Sequence, residues 1–128
     1  MPNSTLVLVA RVFLALLFIA GGYGKLAGGP AGFAGYLGSL GFPAPLFFAW
    51  ATIAVELIGG IFVLVGFQTR LAAYALAAFC VASAVVAHFD FADQNQMTQF
   101  LKNLGLAGGF LLLAATGPGT LSVDGRRR

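Results

Sequence analysis

The chain has 128 residues, of which 59% are hydrophobic and only 9% carry a charged side chain. A soluble domain usually has about 25% charged residues, and the interior of so small a domain could not hold this much apolar side chain. The composition therefore predicts a single membrane domain over residues 1–128, with the lipid bilayer as its main solvent. It offers no basic stripe with exposed aromatic residues of the kind that binds nucleic acid.

Four segments are apolar and long enough to cross about 30 Å of hydrocarbon as helices. The predicted spans cover about residues 4–22, 45–67, 70–89 and 96–115. Asn3 or Ser4 would cap the first span, and Pro45 would begin the second. The sequence thus predicts an all-α integral membrane protein built as a four-transmembrane-helix bundle.

The segment between the first two spans is too short and too rich in glycine to cross the membrane. Its large apolar residues recur at helical spacing, at Phe33, Tyr36, Leu37 and Leu40. Pro30 stands where a first helical residue would. We expect a short amphipathic helix here, lying at the membrane interface.

The distribution of charge predicts the orientation. Arg70 lies in the turn between the second and third spans, and the arginine tail 126–128 follows the fourth. The opposite loops hold Asp90 and Asp93, with Lys25 as their cation. Because positively charged loops stay in the cytoplasm, both termini are predicted to be cytoplasmic.

Glu56 and Arg11 are ionisable residues well inside the predicted spans, where a charge is costly unless it is paired or hydrated. Glu56 is about 11 residues from either end of the second span, or about 16 Å deep. Small residues around it would let another helix approach, so we expect Glu56 to face the bundle. Arg11 in the first span is its expected partner, in an ion pair that is either structural or functional. The alternative is that Arg11 extends to the cytoplasmic interface.

A second polar group gathers toward the other membrane face. It consists of Lys25, His88, Lys102 and Asn103. Two cations, a titratable imidazole and an amide could hold a small anion or a quinone head group, and the imidazole could pass a proton. The alternative is an interfacial rim without a ligand.

Other chemistries find little support in the sequence. One histidine and one cysteine, Cys80, make no ligand set for zinc or iron. Nucleotide-binding and Ser-His-Asp patterns are absent, so no intrinsic cofactor is expected and no catalytic residue is assigned. The glycines at 59–60 and at 105, 108 and 109 are predicted to be notches for helix packing.

An ordered series of short motifs resembles the DoxX family of small bacterial inner-membrane proteins over nearly the whole chain. The series is Arg11, Gly24-Lys25-Leu26, Glu56-Leu57-Ile58-Gly59-Gly60, Gly66-Phe67-Gln68-Thr69-Arg70, His88, Lys102-Asn103-Leu104 and Ser122-Val123-Asp124. The resemblance implies a four-helix bundle in the bacterial inner membrane. It also implies an association with membrane oxidoreductases, since relatives include a subunit of thiosulfate:quinone oxidoreduction.

These observations favour a membrane subunit of a redox assembly that binds a quinone or a small oxyanion at its polar residues. Such a subunit would have no electron carrier of its own, so a bound quinone or a membrane or soluble redox partner would carry the electrons. The alternatives are a non-enzymatic membrane adaptor and a small-solute permease. The substrate, the partner and the oligomeric state are not determined by the sequence.

Overall fold

The computed structural model describes residues 3–87 and 90–126 of the chain. Its helices are α1 (Ser4–Ala27), α2 (Pro30–Ser39), α3 (Pro45–Val65), α4 (Thr69–Ala87), α5 (Gln94–Thr116) and α6 (Val123–Arg126). These residues include no β-strand, so the predicted all-α class is confirmed for the described part of the chain.

The helix starts follow the capping residues in the sequence. Asn3 caps α1, because its side chain accepts hydrogen bonds from the amides two and three residues on. Pro30 and Pro45 occupy the first turns of α2 and α3, where their missing N–H costs nothing. The side chain of Asp93 caps α5 in the same way.

Helix α1 is longer than predicted. Its glycine-rich end was expected to close the span near Gly22, but the helix continues to Ala27. Glycine costs about 1 kcal/mol relative to alanine in a helix interior. Packing offsets this cost, because Gly21 and Gly22 lie directly against Glu56 and Leu57 of α3. The extension places Lys25 on α1.

The chain ends fix the directions of the long helices. The Thr120 hydroxyl donates to the Ser4 hydroxyl at 3.0 Å, and the Asp124 amide donates to the Gly66 carbonyl at 2.8 Å. The start of α1, the α3–α4 turn and the chain after α5 therefore meet at one end of the bundle, which we call the termini end. The opposite end, with α2 and the start of α5, is the loop end. Neighbouring long helices are consequently antiparallel.

Among residues 3–87 and 90–126, three helices are long and apolar enough to cross a membrane, namely α1, α3 and α4. Many large apolar side chains point outward, and Phe13, for example, is 70% exposed. Such a surface is suited to lipid. The first ten residues of α5 are mostly polar, so the four-span count and the interfacial position of α2 stay predictions.

The glycine pair of α3 is a packing notch, as predicted. A Cβ atom at Gly60 would lie 2.8 Å from Ile19 Cγ1 of α1, and one at Gly59 would lie 3.1 Å from Leu76 Cδ2 of α4. Helix α3 therefore packs closely against both neighbours through these two positions.

The glycines of α5 are different. No atom lies within 4 Å of a Cβ placed at Gly105 or Gly108, so the predicted notches are wrong there. Gly109 makes only an ordinary contact, because a Cβ there would lie 3.5 Å from Leu14. Spacing alone cannot distinguish a glycine at a helix contact from one on an open face.

Candidate functional site

Glu56 lies inside the bundle and forms an ion pair with Lys25. The Lys25 Nζ is 2.7 Å from the Glu56 Oε1, and Glu56 is only 6% exposed. The predicted pairing of Glu56 with Arg11 is therefore wrong. The side chain of Lys25 is about one-quarter exposed, so the pair is open on its lysine side.

The direction of the side chains explains this choice of partner. Side chains tilt toward the N-terminus of their own helix. Since α1 and α3 are antiparallel, Lys25 tilts toward the termini end and Glu56 tilts toward the loop end, so the two converge. Gly21 marks the level of the carboxylate, because a Cβ there would lie 3.1 Å from Glu56 Oε2. Arg11 lies ten residues earlier, about 15 Å along the axis, and tilts away.

Arg11 is fully buried at a separate place near the termini end. Its guanidinium donates to the carbonyls of Val63 and Leu64, each at 3.4 Å, and to the carbonyl of Leu121. The first two belong to the last turn of α3, whose carbonyls have no partner within the helix and favour a cation. Arg11 therefore joins α1, α3 and the C-terminal segment. It extends toward the termini end, the direction that the alternative expected, but it is fully buried there.

The C-terminal segment also caps α4, which the sequence did not predict. The carboxylate of Asp124 accepts from the amides of Gln68 and Thr69, at 3.0 and 2.9 Å, and from the Thr69 hydroxyl at 2.8 Å. Asp124 thus does for α4 what a local cap does for other helices. The only signal in the sequence was an aspartate in the polar segment after the last long helix.

A cavity of about 650 Å³ lies at the loop end of the bundle. Five helices contribute to its wall, and its lining is mostly apolar. Apolar residues at the wall include Leu17, Phe18, Phe33, Leu37, Leu40, Phe42, Phe48, Val55, Phe79, Val86 and Leu106. The volume lies in the range of sites that bind small molecules or cofactors.

Four of the polar residues in the wall are ones that the sequence singled out, and Thr52, Ser83 and Gln99 are further polar residues there. Lys25, Lys102 and Asn103 of the predicted outer group all line the cavity, and Glu56 joins them from the predicted intramembrane group. Arg11 is not among the lining residues. His88, the remaining member of the predicted outer group, falls outside the described residues. Residues that the sequence assigned to two separate sites thus line a single cavity.

Helix α2 forms part of the cavity wall at the loop end. The four residues at helical spacing, Phe33, Tyr36, Leu37 and Leu40, all line the cavity. The Lys25 Nζ lies 5.1 Å from the centroid of the Phe33 ring, a cation–π contact. Lys25 therefore contacts both α2 and α3.

Within the described residues, no three His, Cys, Asp or Glu side chains gather closely enough to hold a metal ion. Cys80 is buried as a free thiol in the apolar core. The chemistry available in the cavity is therefore that of two ammonium groups, one carboxylate and a few amides and hydroxyls.

The sequence profile of the DoxX family matches residues 6–89. The chain belongs to the DoxX family. It is 43% identical to the inner membrane protein YqjF of Escherichia coli over 118 residues, covering 92% of this chain and 88% of that protein. It is 38% identical to the inner membrane protein YphA of the same organism, covering 97% and 91%. No solved structure matches the chain at a significant level.

A more distant relative is the yeast ER-derived vesicles protein ERV29, 31% identical over 85 residues, covering 62% of this chain and 27% of that protein. With its apolar helices, this DoxX chain is a membrane protein. The part of this chain that matches the family profile includes Lys25 and Glu56, whereas Lys102 and Asn103 lie beyond it, on α5. The two bacterial relatives cover nearly all of the chain.

Proposed function

We propose that this DoxX protein crosses the bacterial inner membrane four times, with both termini in the cytoplasm. Helix α5 has 23 residues, so it is about 34 Å long, enough to span the hydrocarbon. It runs from the loop end back to the termini end, which supports a fourth crossing. The polar first turns of α5 would lie against the cavity and the outer interface.

The charges support the orientation. Arg70 and Arg126 lie at the termini end, whereas Asp90 and Asp93 precede α5 at the loop end. A reporter fused after Arg128 should therefore be cytoplasmic, and one inserted at 90–95 should be periplasmic. If both reporters were on the same side, the four-span topology would be wrong.

Within this topology, the protein acts as a ligand-binding membrane subunit of a redox assembly, and a quinone is the proposed ligand. The observation that carries this proposal is the cavity, whose mostly apolar wall also includes the Lys25–Glu56 pair, Lys102 and Asn103. A quinone has an apolar ring and tail with carbonyl oxygens that accept hydrogen bonds, which matches such a wall.

The residues have separate roles in this proposal. Lys25, Lys102 and Asn103 can donate hydrogen bonds to carbonyl oxygens of the ring. Glu56 holds Lys25 in place and offers a carboxylate oxygen that can accept a proton. Electron transfer belongs to the quinone and to a partner protein. No catalytic step is assigned to a side chain.

The packing also favours binding over transport. The rings of Phe18 and Phe110 meet edge to face at 5.4 Å, and both residues are buried, with Phe18 in the cavity wall. Arg11 and its carbonyl partners close the termini end beyond them. These contacts at the termini end favour a ligand-binding site over a continuous transport path.

Quinone binding can be tested on the protein purified into lipid nanodiscs. Native mass spectrometry should detect a co-purified quinone, and added short-chain ubiquinone should bind at one saturable site per chain. Ala82→Phe fills the cavity from α4 and should abolish binding, whereas Ala75→Phe on the outer face of the same helix should not. If neither native nor added quinone binds, the ligand proposal fails and a non-enzymatic adaptor becomes the better account.

A further inference from the structure

The charges in the cavity wall are unbalanced. Lys25 is paired with Glu56, so these two charges compensate each other. Lys102 lines the same cavity, and among residues 3–87 and 90–126 no carboxylate lies within ion-pair distance of it. With all three groups ionised, the described residues of the wall carry two positive charges and one negative charge.

Lys102 does not lie in the first turn of α5. It lies eight residues after Gln94, about 12 Å from the start of α5. Asn103 beside it and Leu106 one turn further along line the cavity as well. Lys102 therefore contributes an ammonium group to the wall of a mostly apolar cavity.

Toward the termini end, helices α1 and α5 come into contact with each other. Helices α1 and α5 touch where Phe18 meets Phe110 and where Leu14 meets Gly109. Toward the loop end the cavity lies between them, with Lys25 on one side and Lys102 on the other. A ligand that fills this wedge has its apolar body toward Phe18 and its head group beside the two lysines.

We propose that the cavity selects an amphipathic ligand with one negative charge on its head group, which Lys102 binds. This deepens the proposed function, on which it rests, by assigning the charge of the ligand. Lys102 is exposed, so water solvates its ammonium group while the cavity is empty. A ligand that displaces this water has to replace its hydrogen bonds, and an anionic head group supplies both an acceptor and a counter-charge. A neutral head group of the same shape would leave the charge of Lys102 uncompensated.

Two probes of nearly equal shape test this selection. A 2-hydroxy-1,4-naphthoquinone with an alkyl chain is a vinylogous carboxylic acid and is a monoanion at neutral to mildly alkaline pH, whereas its methyl ether stays neutral. Binding of each is measured by titration into the protein in zwitterionic-lipid nanodiscs, with empty nanodiscs as the blank. We expect the anion to bind the wild-type protein at least about tenfold more tightly, as a charged hydrogen bond would give.

Variants assign the preference to Lys102. Lys102→Gln should lose most of the preference, because the anion should bind more weakly while the binding of the ether stays unchanged. Lys102→Arg should keep the preference. Arg70→Gln removes a cation that does not line the cavity, so it should keep the full preference. Circular dichroism checks that the variants are folded.

The outcomes separate the two proposals. If neither probe binds, the proposed quinone function fails together with the inference. If both probes bind wild type equally, or if Lys102→Gln keeps the preference, the charge selection is overturned while quinone binding stands. If Lys102→Gln does not fold, the wild-type preference and the Lys102→Arg variant still decide.

Discussion

Loss of one partner of the Lys25–Glu56 pair should destabilise the bundle more than loss of both. Removing one member of a fully buried pair costs about 3–5 kcal/mol, because the other charge is left uncompensated. Glu56 is nearly buried, but the side chain of Lys25 is 27% exposed, which lowers the expected cost. We expect Lys25→Met to cost about 2–3 kcal/mol, and Glu56→Gln about 1–2 kcal/mol because Lys25 can turn outward.

The double variant Lys25→Met/Glu56→Gln leaves no charge unpaired at this position. Its stability should lie within about 1 kcal/mol of the wild type, so the coupling energy between the two sites should be at least about 2 kcal/mol. The free energy of unfolding can be measured in mixed micelles by titration with sodium dodecyl sulfate and followed by helical circular dichroism. Lys102→Met is the matched control, a cavity lysine without a carboxylate partner among the described residues, and should change stability by no more than about 0.5 kcal/mol.

A second cycle with Arg11→Met and Glu56→Gln tests the geometry itself. Because Arg11 contacts carbonyls at the termini end and not Glu56, their effects should add within about 0.3–0.5 kcal/mol. Additive effects in the Lys25 cycle, or strong coupling in the Arg11 cycle, would refute this assignment of partners.

Two further predictions use the same unfolding assay. Asp124→Ala should cost about 1–2 kcal/mol, because α4 loses its cap, while Asp90→Ala in the loop should cost less; equal losses would contradict the capping role. Gly60→Ala should cost about 1–3 kcal/mol, because its Cβ would collide with α1. Gly105→Ala faces open space and should be neutral or stabilising by up to about 1 kcal/mol, and a destabilised Gly105→Ala would contradict the open face of α5.

Much of the fold could be predicted from the sequence because lipid imposes simple rules on composition. Long apolar runs indicated the membrane helices, and Asn3, Pro30 and Pro45 marked helix starts through local hydrogen-bonding and backbone constraints. The cost of a charge in lipid likewise singled out Glu56 from its position in an apolar run. Each of these signals acts within one helix or one turn.

The candidate site was predicted only in part. Lys25, Lys102 and Asn103 were predicted as one group and all line one cavity, because all three lie toward the same end of the bundle. Glu56 was assigned to a different group, since its position along the helix suggested the middle of the bundle. The cavity that joins it to the others is lined by residues of five helices, α1 to α5.

Tertiary structure decided the contacts between helices. The sequence indicates the approximate depth of Arg11, Lys25 and Glu56, but a pairing also depends on the register of two antiparallel helices and on the tilt of each side chain. Because α1 packs against α3, the helix continues through Gly21 and Gly22, which would otherwise favour a helix end. This continuation places Lys25 beside the Glu56 carboxylate. The cap supplied by Asp124 lies 55 residues beyond Thr69, a separation that no local pattern encodes. The depth of a residue follows from its position in one helix, whereas its contact partner depends on how the helices of the bundle pack together.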